Sequence, residues 1–343
     1  MAFDIFNRRY TGSKTKIVSW IDNIIEEHCS ECFSFCDIFA GTGVVTYSLV
    51  NRFDKFVIND FLYSNEVIYN AFFLKQNYSI EKVCRFSRKY KTIDVSKLSD
   101  NYVSINYGNK YFSYEDALKI GFIREDIENN KNRLNKKEYC ILLASLLYSL
   151  DRSANTVGHY DAFFQNKCVK NSFAFELISP VIVSKDDPRE IKIFREDANT
   201  LASKIKCDIV YIDPPYSSRQ YSRFYHVLEN IVKWEKPELF GTALKPAPEN
   251  MSEYCASKAL DAFTDLIANL KCKYVIVSYN NTYNSKSSSS RNKMELDDML
   301  RVLQAKGKTE VFAIDHQAFN AGKTNLENHQ ELLFVTKVGA KDE

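Results

Sequence analysis

The chain of 343 residues reads as an α/β protein, a mostly parallel sheet carrying one inserted subdomain. Three observations predict this. Short apolar runs rich in Val, Ile, Phe and Tyr alternate with helical patterns. A Gly-rich turn follows the first of these runs directly. The alternation then breaks over one long stretch before it resumes. Apolar residues make up 45% and charged residues 26% of the chain, close to the average for globular proteins, which excludes a disordered chain, a collagen and a coiled coil. The best apolar run, Ile141 to Leu150, is too short to span a bilayer, which needs about 20 residues. No signal-peptide core follows the N-terminal Met1 to Arg9, so a cytoplasmic location is expected, with no membrane partner.

Strands are expected at Phe33 to Phe39, Lys55 to Asn59, Ile209 to Asp213, Tyr274 to Tyr279, Glu310 to Ile314 and Leu332 to Val335. Each is short and apolar enough to be a buried strand. Helices are expected at Lys14 to Glu27, Thr46 to Arg52, Tyr221 to Lys233, Ala256 to Leu270 and Lys293 to Lys306. Strands alternating with helices argue for a sheet covered on both faces. Residues 1–61 and 192–343 would form this body. Residues 62–191 would form the insert, which holds a basic run and then the apolar helix Lys137 to Leu150. Ser285 to Ser290 reads as a flexible loop.

Nine cysteines in a chain with no secretory signal are read as reduced thiols. His28, Cys29, Cys32 and Cys36 resemble a metal cluster only superficially. A second Cys pair at ribbon spacing is missing and Cys36 opens a strand, so core thiols are the reading and no metal is expected. The net charge is +2, yet Lys82 to Lys137 holds 13 basic against 7 acidic residues. A local basic segment on a neutral body suits contact with phosphates, although such a run is commonly just a solvated face.

Three motifs carry chemistry. In Asp37-Ile38-Phe39-Ala40-Gly41-Thr42-Gly43 a strand enters a turn whose glycines let a nucleotide-like ligand lie against the backbone. Asp60 closes the next strand at the spacing expected of a ribose-binding acid. This turn alone fits a nicotinamide cofactor or S-adenosylmethionine equally. Asp213-Pro214-Pro215-Tyr216 follows an apolar strand. Its prolines stiffen the backbone at the strand end where open α/β sheets bind ligands. A carboxylate, a rigid carbonyl at Pro214 and an aromatic face suit the exocyclic amino group of a planar base. A type I turn is the plainer alternative. Tyr10-Thr11-Gly12-Ser13-Lys14 opens a helix but lacks the first glycine of a phosphate loop. Without further support Ser13 would be an ordinary N-cap.

Taken together and in this order, the three motifs resemble those of the adenine-N6 DNA methyltransferases of the Dam-like family in the alpha arrangement. Ser217 to Asn230 and Ala154 to Asp161 are similar to the FokI- and NlaIII-type modification methylases within it. The resemblance touches segments from Arg9 to about Leu333. It implies the Rossmann-like fold of S-adenosylmethionine-dependent methyltransferases, with the insert as the DNA target-recognition region. Tyr10, Gly12, Ser13 and Lys14 would hold the methionine end of the cofactor. Asp37, Phe39, Ala40, Gly41 and Gly43 would line it, Asp60 would bind its ribose, and Asp197 would either meet its adenine or stand as an exposed loop acid.

By the same resemblance, Asp213 and the Pro214 carbonyl would bind the target amino group. Pro215 would stiffen the loop and Tyr216 would stack on a base flipped out of double-stranded DNA. Lys82, Arg85, Arg88, Lys89 and Lys91 would contact phosphates. Arg152 and Asn155 would also approach the DNA, and Arg219 would either grip its backbone or pin the Arg219 loop. A restriction endonuclease acting separately would be the functional partner. The rival readings are a cytosine-N4 or RNA amine methyltransferase, a nicotinamide-dependent oxidoreductase and a non-catalytic DNA-binding module. Asp213 favours adenine over cytosine-N4, whose enzymes usually carry Ser or Asn there. The absence of a Pro-Cys dipeptide excludes the cytosine carbon-5 class.

Overall fold

Seven strands form one sheet: β1 (Ser34–Asp37), β2 (Lys55–Asn59), β3 (Glu190–Phe194), β4 (Ile209–Ile212), β5 (Tyr274–Asn280), β6 (Gly307–Asp315) and β7 (Gln330–Val338). Their order is β3-β2-β1-β4-β5-β7-β6. The first five are mutually parallel, while β7 runs antiparallel to both of its neighbours. The computed structural model from which this is drawn describes residues 3–165, 169–281, 292–315 and 329–340. The Ser285 to Ser290 stretch lies outside the described residues. Numbered along the chain, the helices are α1 (Val18–His28), α2 (Val44–Leu49), α3 (Tyr63–Phe73), α4 (Ile80–Lys91), α5 (Tyr102–Tyr107), α6 (Tyr114–Asn129), α7 (Lys136–Ser153), α8 (Ala198–Ala202), α9 (Tyr221–Phe224), α10 (His226–Lys233), α11 (Ala259–Asn269) and α12 (Leu296–Lys306).

All six strands read from the sequence are present, and the mixed, mostly parallel sheet is the one expected. The additional strand is β3. Its residues alternate in exposure, Glu190 and Lys192 facing out and Ile191 and Ile193 half-buried. An edge strand covered on one side only has no continuous apolar run to reveal it.

The chain divides into two compact units. One contains Gly12–Phe61, Pro188–Tyr221 and Asn250–Glu343; the other contains Met1–Thr11, Leu62–Asp187 and Ser222–Glu249. In the sheet unit, Cys36, Val57, Val210, Val275 and Phe334 face one way and form a core with residues of α8, α11 and α12. The opposite face stacks Phe35 against Phe53 and Tyr211, with ring centroids 5.5 and 6.3 Å apart. Alternating side chains on buried strands require apolar residues on both faces, as found here.

The second unit is helical. α7 is buried on nearly all sides and packs against α3, α4, α6 and α10. Its start is set by a capping box in which Asn135 and Glu138 satisfy each other's backbone N–H groups. α3 lacks a side-chain cap of its own; instead the Glu229 carboxylate accepts the Tyr63 and Ser64 N–H groups at 3.0 and 2.8 Å. Fully buried Arg124 donates to the Ile231 and Val232 carbonyls at the end of α10, at 2.6 and 3.1 Å. These bonds tie 222–249 to helices far away in sequence, so the segment packs with the helical unit. Among the described residues no helix is long and apolar enough to cross a membrane.

Candidate active site

Asp213 stands one residue beyond β4 at its C-terminal end. The carboxylate does not face open water alone. Lys14, at the start of a 3-10 turn spanning Lys14–Lys16, brings its Nζ to 3.0 Å from Asp213 Oδ1. The Tyr216 hydroxyl donates to the same Asp213 oxygen and accepts from Lys14. The Lys14 ammonium also lies 4.8 Å from the Tyr216 ring centroid, a cation–π contact. Tyr216 meets Tyr279 edge-on, with centroids 4.9 Å apart and planes at 79°. Its carbonyl accepts from Lys293 N–H at 2.8 Å, which secures the loop.

A fourth group was not foreseen. Glu331, buried on β7, places Oε2 3.6 Å from Lys14 Nζ. Its other oxygen lies 3.9 Å from Nε2 of His329. One ammonium is therefore shared between two carboxylates. Burial pushes the Asp213 carboxyl up; Lys14 and the Tyr216 hydroxyl oppose this, and Glu331 adds to it. Burial works against the Lys14 charge, yet Asp213 and Glu331 outweigh it and hold the ammonium above its usual value. The sequence signal for Glu331 was a lone acid in front of the apolar run Leu332 to Val335.

The Gly-rich turn is built next to this group. Gly41 and Gly43 have φ of +53° and +78°, a left-handed region that a side chain would strain. The Gly41 N–H donates to Asp60 Oδ2 at 3.0 Å, so Asp60 shapes the turn from the end of β2. Asn59, also missed from sequence, joins two strand-end loops. Its Nδ2 donates to the Ile38 and Glu196 carbonyls, both at 3.0 Å, and its Oδ1 accepts Glu196 N–H at 3.0 Å. A polar residue closing an apolar strand was the available clue.

Asp37 ends β1, buried, with Oδ2 accepting the Thr46 hydroxyl at 2.9 Å. Its Oδ1 is buried with no hydrogen-bond partner. Burial, with smaller contributions from Asp213 and Asp60, pushes its carboxyl up to about 7 against the Thr46 bond. A buried carboxylate oxygen without a donor is costly, and a ligand bringing an N–H or ammonium group would satisfy it.

The other expected cofactor residues fall as follows. Gly12 has φ of +82°, and a Cβ there would lie 3.1 Å from the Tyr221 hydroxyl. Ser13 has no side-chain cap bond; its hydroxyl pairs with that of Thr15 at 2.9 Å. Phe39 is half-buried and edge-on to Tyr254, at 5.1 Å between centroids. Ala40 N–H donates to the Asn59 carbonyl at 2.8 Å. Asp197 is exposed and caps α8, its Oδ1 accepting Thr200 N–H at 3.0 Å. Tyr10 belongs to the helical unit, where it stacks on Tyr225 with centroids 4.6 Å apart.

The residues expected to meet DNA divide sharply. Lys82 pairs with Glu138 at 2.8 Å, Lys89 with Asp126 at 2.6 Å and Lys91 with Glu176 at 3.0 Å. Arg124 and Lys137, both counted in the basic run, are buried. Lys137 donates to the Leu74 carbonyl at 2.6 Å, and burial pulls its ammonium down to about 8. Arg85, Arg88 and Arg152 are exposed. Asn155 is buried and donates to the Lys110 and Phe164 carbonyls at 2.9 and 3.0 Å. Arg219 is half-buried, and its carbonyl accepts from the Cys255 thiol at 3.3 Å. Cys36, once grouped with His28, Cys29 and Cys32, is buried in the sheet core.

A mostly parallel sheet with a reversed β7, a Gly-rich turn after β1 and an acceptor carboxylate after β4 defines a methyltransferase-type α/β fold. The model of the D12 class N6 adenine-specific DNA methyltransferases matches residues 10–287, and the chain belongs to that family. It is 32% identical to the modification methylase LlaI of Lactococcus lactis subsp. lactis, over 95% of this chain and 53% of that protein. It is also 32% identical to the modification methylase StsI of Streptococcus sanguinis, over 96% of this chain and 52% of that one. The chain thus spans about half the length of these two relatives. The type II methyltransferase M.CviAII of Paramecium bursaria Chlorella virus 1 is 31% identical, over 95% of this chain and 97% of its own length.

Proposed function

We propose that this chain transfers a methyl group from S-adenosylmethionine to the N6 amino group of adenine in a short sequence of double-stranded DNA. Its place would be the modification half of a type II restriction-modification system, with a separate endonuclease as the counterpart. The observation that carries this reading is Asp213, a half-buried acceptor after β4 in a chain of the D12 class family.

The unpartnered Oδ1 of Asp37 supports a cofactor carrying a positively charged amino group. Asp37, Asp60, Phe39 and the Gly41–Gly43 turn are the residues that would hold it. When bound, the cofactor supplies a methyl group on a sulfonium, ready for displacement. Asp213 and the Pro214 carbonyl accept the two N–H bonds of the incoming amine and so aim its nitrogen lone pair. Tyr216 turns from Asp213 to lie along the base. Fixed acceptors and exclusion of water supply most of the rate. Exposed Arg85, Arg88 and Arg152 contact DNA phosphates, which fixes position without reading sequence.

The test is incubation of the protein with unmethylated DNA and methyl-labelled S-adenosylmethionine, then digestion to nucleosides. Label in N6-methyladenine, lost in Asp213→Ala, is the expected result. Label in N4-methylcytosine would overturn the base assignment, and label in RNA alone would overturn the substrate. No binding of S-adenosylmethionine would sink the reading altogether.

A further inference from the structure

The group around Lys14 does more than carry an acceptor. Its formal charges are one ammonium and two carboxylates, so it is net negative by one. Asp213 and Tyr216 come from the loop after β4, Lys14 from the turn at Lys14–Lys16, and Glu331 and His329 from β7 and the residue before it. Among the described residues, Tyr211 of β4, Tyr279 of β5 and Asp37 of β1 also face it. Lys14 and Glu331 are both buried, with side chains 5% and 8% exposed. A lone Lys14–Asp213 pair would spend the carboxylate on its counter-ion, because opposite charges at 3.0 Å couple strongly away from water.

Resting on the methyltransfer reading, we propose that Glu331 is a positioning residue of the transfer site. It draws part of the Lys14 ammonium toward β7 and leaves Asp213 a strong acceptor for the target amine. Glu331 does not touch the reacting atoms. It acts through Lys14, and its charge sets how tightly Asp213 holds a proton or an N–H donor. The charge of Glu331 is needed for this, and its bulk is not. Replacing it by Gln keeps the shape, frees Lys14 to neutralise Asp213, and lowers the proton affinity of the Asp213 carboxyl.

The experiment compares wild type, Glu331→Gln and Glu331→Asp, with Glu310→Gln as a control at a half-exposed carboxylate on β6. Each is first shown to be folded by its melting curve and to bind S-adenosylmethionine by calorimetry. The inference expects Glu331→Gln to bind the cofactor as wild type does, with KM for DNA unchanged. Its kcat falls about tenfold, the equivalent of one unit of carboxyl proton affinity, and the acid limb of its pH profile moves to lower pH. Glu331→Asp recovers most of the rate, and Glu310→Gln is unchanged. Equal kcat and pH profile in wild type and Glu331→Gln overturn the inference. So does a rate loss that follows weaker cofactor binding or a lower melting temperature, or that Asp fails to rescue.

A second measurement needs no turnover. The carboxyl carbon of Asp213, assigned by its loss in Asp213→Asn, is titrated by carbon-13 NMR in ligand-free protein. Its titration moves to lower pH in Glu331→Gln if the coupling exists, and an unmoved titration refutes it. A wild type that titrates as expected but methylates no DNA would fail the functional reading alone.

Discussion

Asp37→Asn offers a direct measure of how far the site is built at the expense of stability. The Asp37 carboxyl is pushed from 3.8 to about 7, mainly by burial. A group whose pKa is raised on folding binds more protons in the native state than in the unfolded chain. Stability therefore falls as pH rises from the unfolded value through the folded one, and the loss is complete above about pH 7. The shift is about 3 units, and at 1.36 kcal/mol per unit it corresponds to about 4 kcal/mol at pH 8.

Asn fills the same space without charge and can still accept from Thr46. The variant should thus be more stable than wild type at pH 8 by an amount approaching that figure, and equal to it near pH 4. Urea unfolding of both proteins at half-unit steps from pH 4 to 8 gives the difference directly. Asp213 is also raised, but it is present in both proteins and cancels to first order. A difference that stays flat across this range would show that Asp37 is not held against its charge, and would remove the physical argument for a positively charged ligand there. The stabilised variant should also bind S-adenosylmethionine less tightly, as expected where an unsatisfied carboxylate serves binding.

Asn59→Ala removes three hydrogen bonds between the loops after β1 and β3, at roughly 1 kcal/mol each; a loss of about 3 kcal/mol in urea unfolding is expected, together with weaker cofactor binding by calorimetry. Arg85→Ala and Arg88→Ala should each lower DNA affinity for all sequences alike and reduce the log–log salt slope by about 1. Lys82→Ala, at a lysine already paired with Glu138, should change that slope less. Equal slopes for all three variants would count against this division of the basic segment.

Lys82, Lys89 and Lys91 show where sequence reading reaches its limit. A run of 13 basic against 7 acidic residues looked like one electrostatic surface. The fold spends Lys82, Lys89 and Lys91 on carboxylates of α6, α7 and the 169–187 segment, and buries Arg124 and Lys137 among backbone carbonyls. Net charge along a chain says nothing about partners brought from 37, 56 or 85 positions away. Asn155 is a similar case: it sat in a stretch that resembles the FokI- and NlaIII-type methylases, and its amide holds backbone carbonyls within the helical unit. Lys14, expected at the methionine end of a cofactor, stands with Asp213 and Glu331.

The sequence by itself determined the α/β class, six of the strands, the two strand-end motifs and the family. Each depends on local pattern: continuous apolar runs for buried strands, glycines where φ must be positive, and prolines where a loop must be stiff. Only the tertiary structure decided that β3 completes the sheet edge, that 222–249 packs with the helical unit, and that Lys14 is shared between two carboxylates. The physical reason is common to all three. Pairing along a sheet edge, capping of helix ends and neutralisation of buried charge are met by whichever group the fold brings near, and a one-dimensional pattern does not record distance.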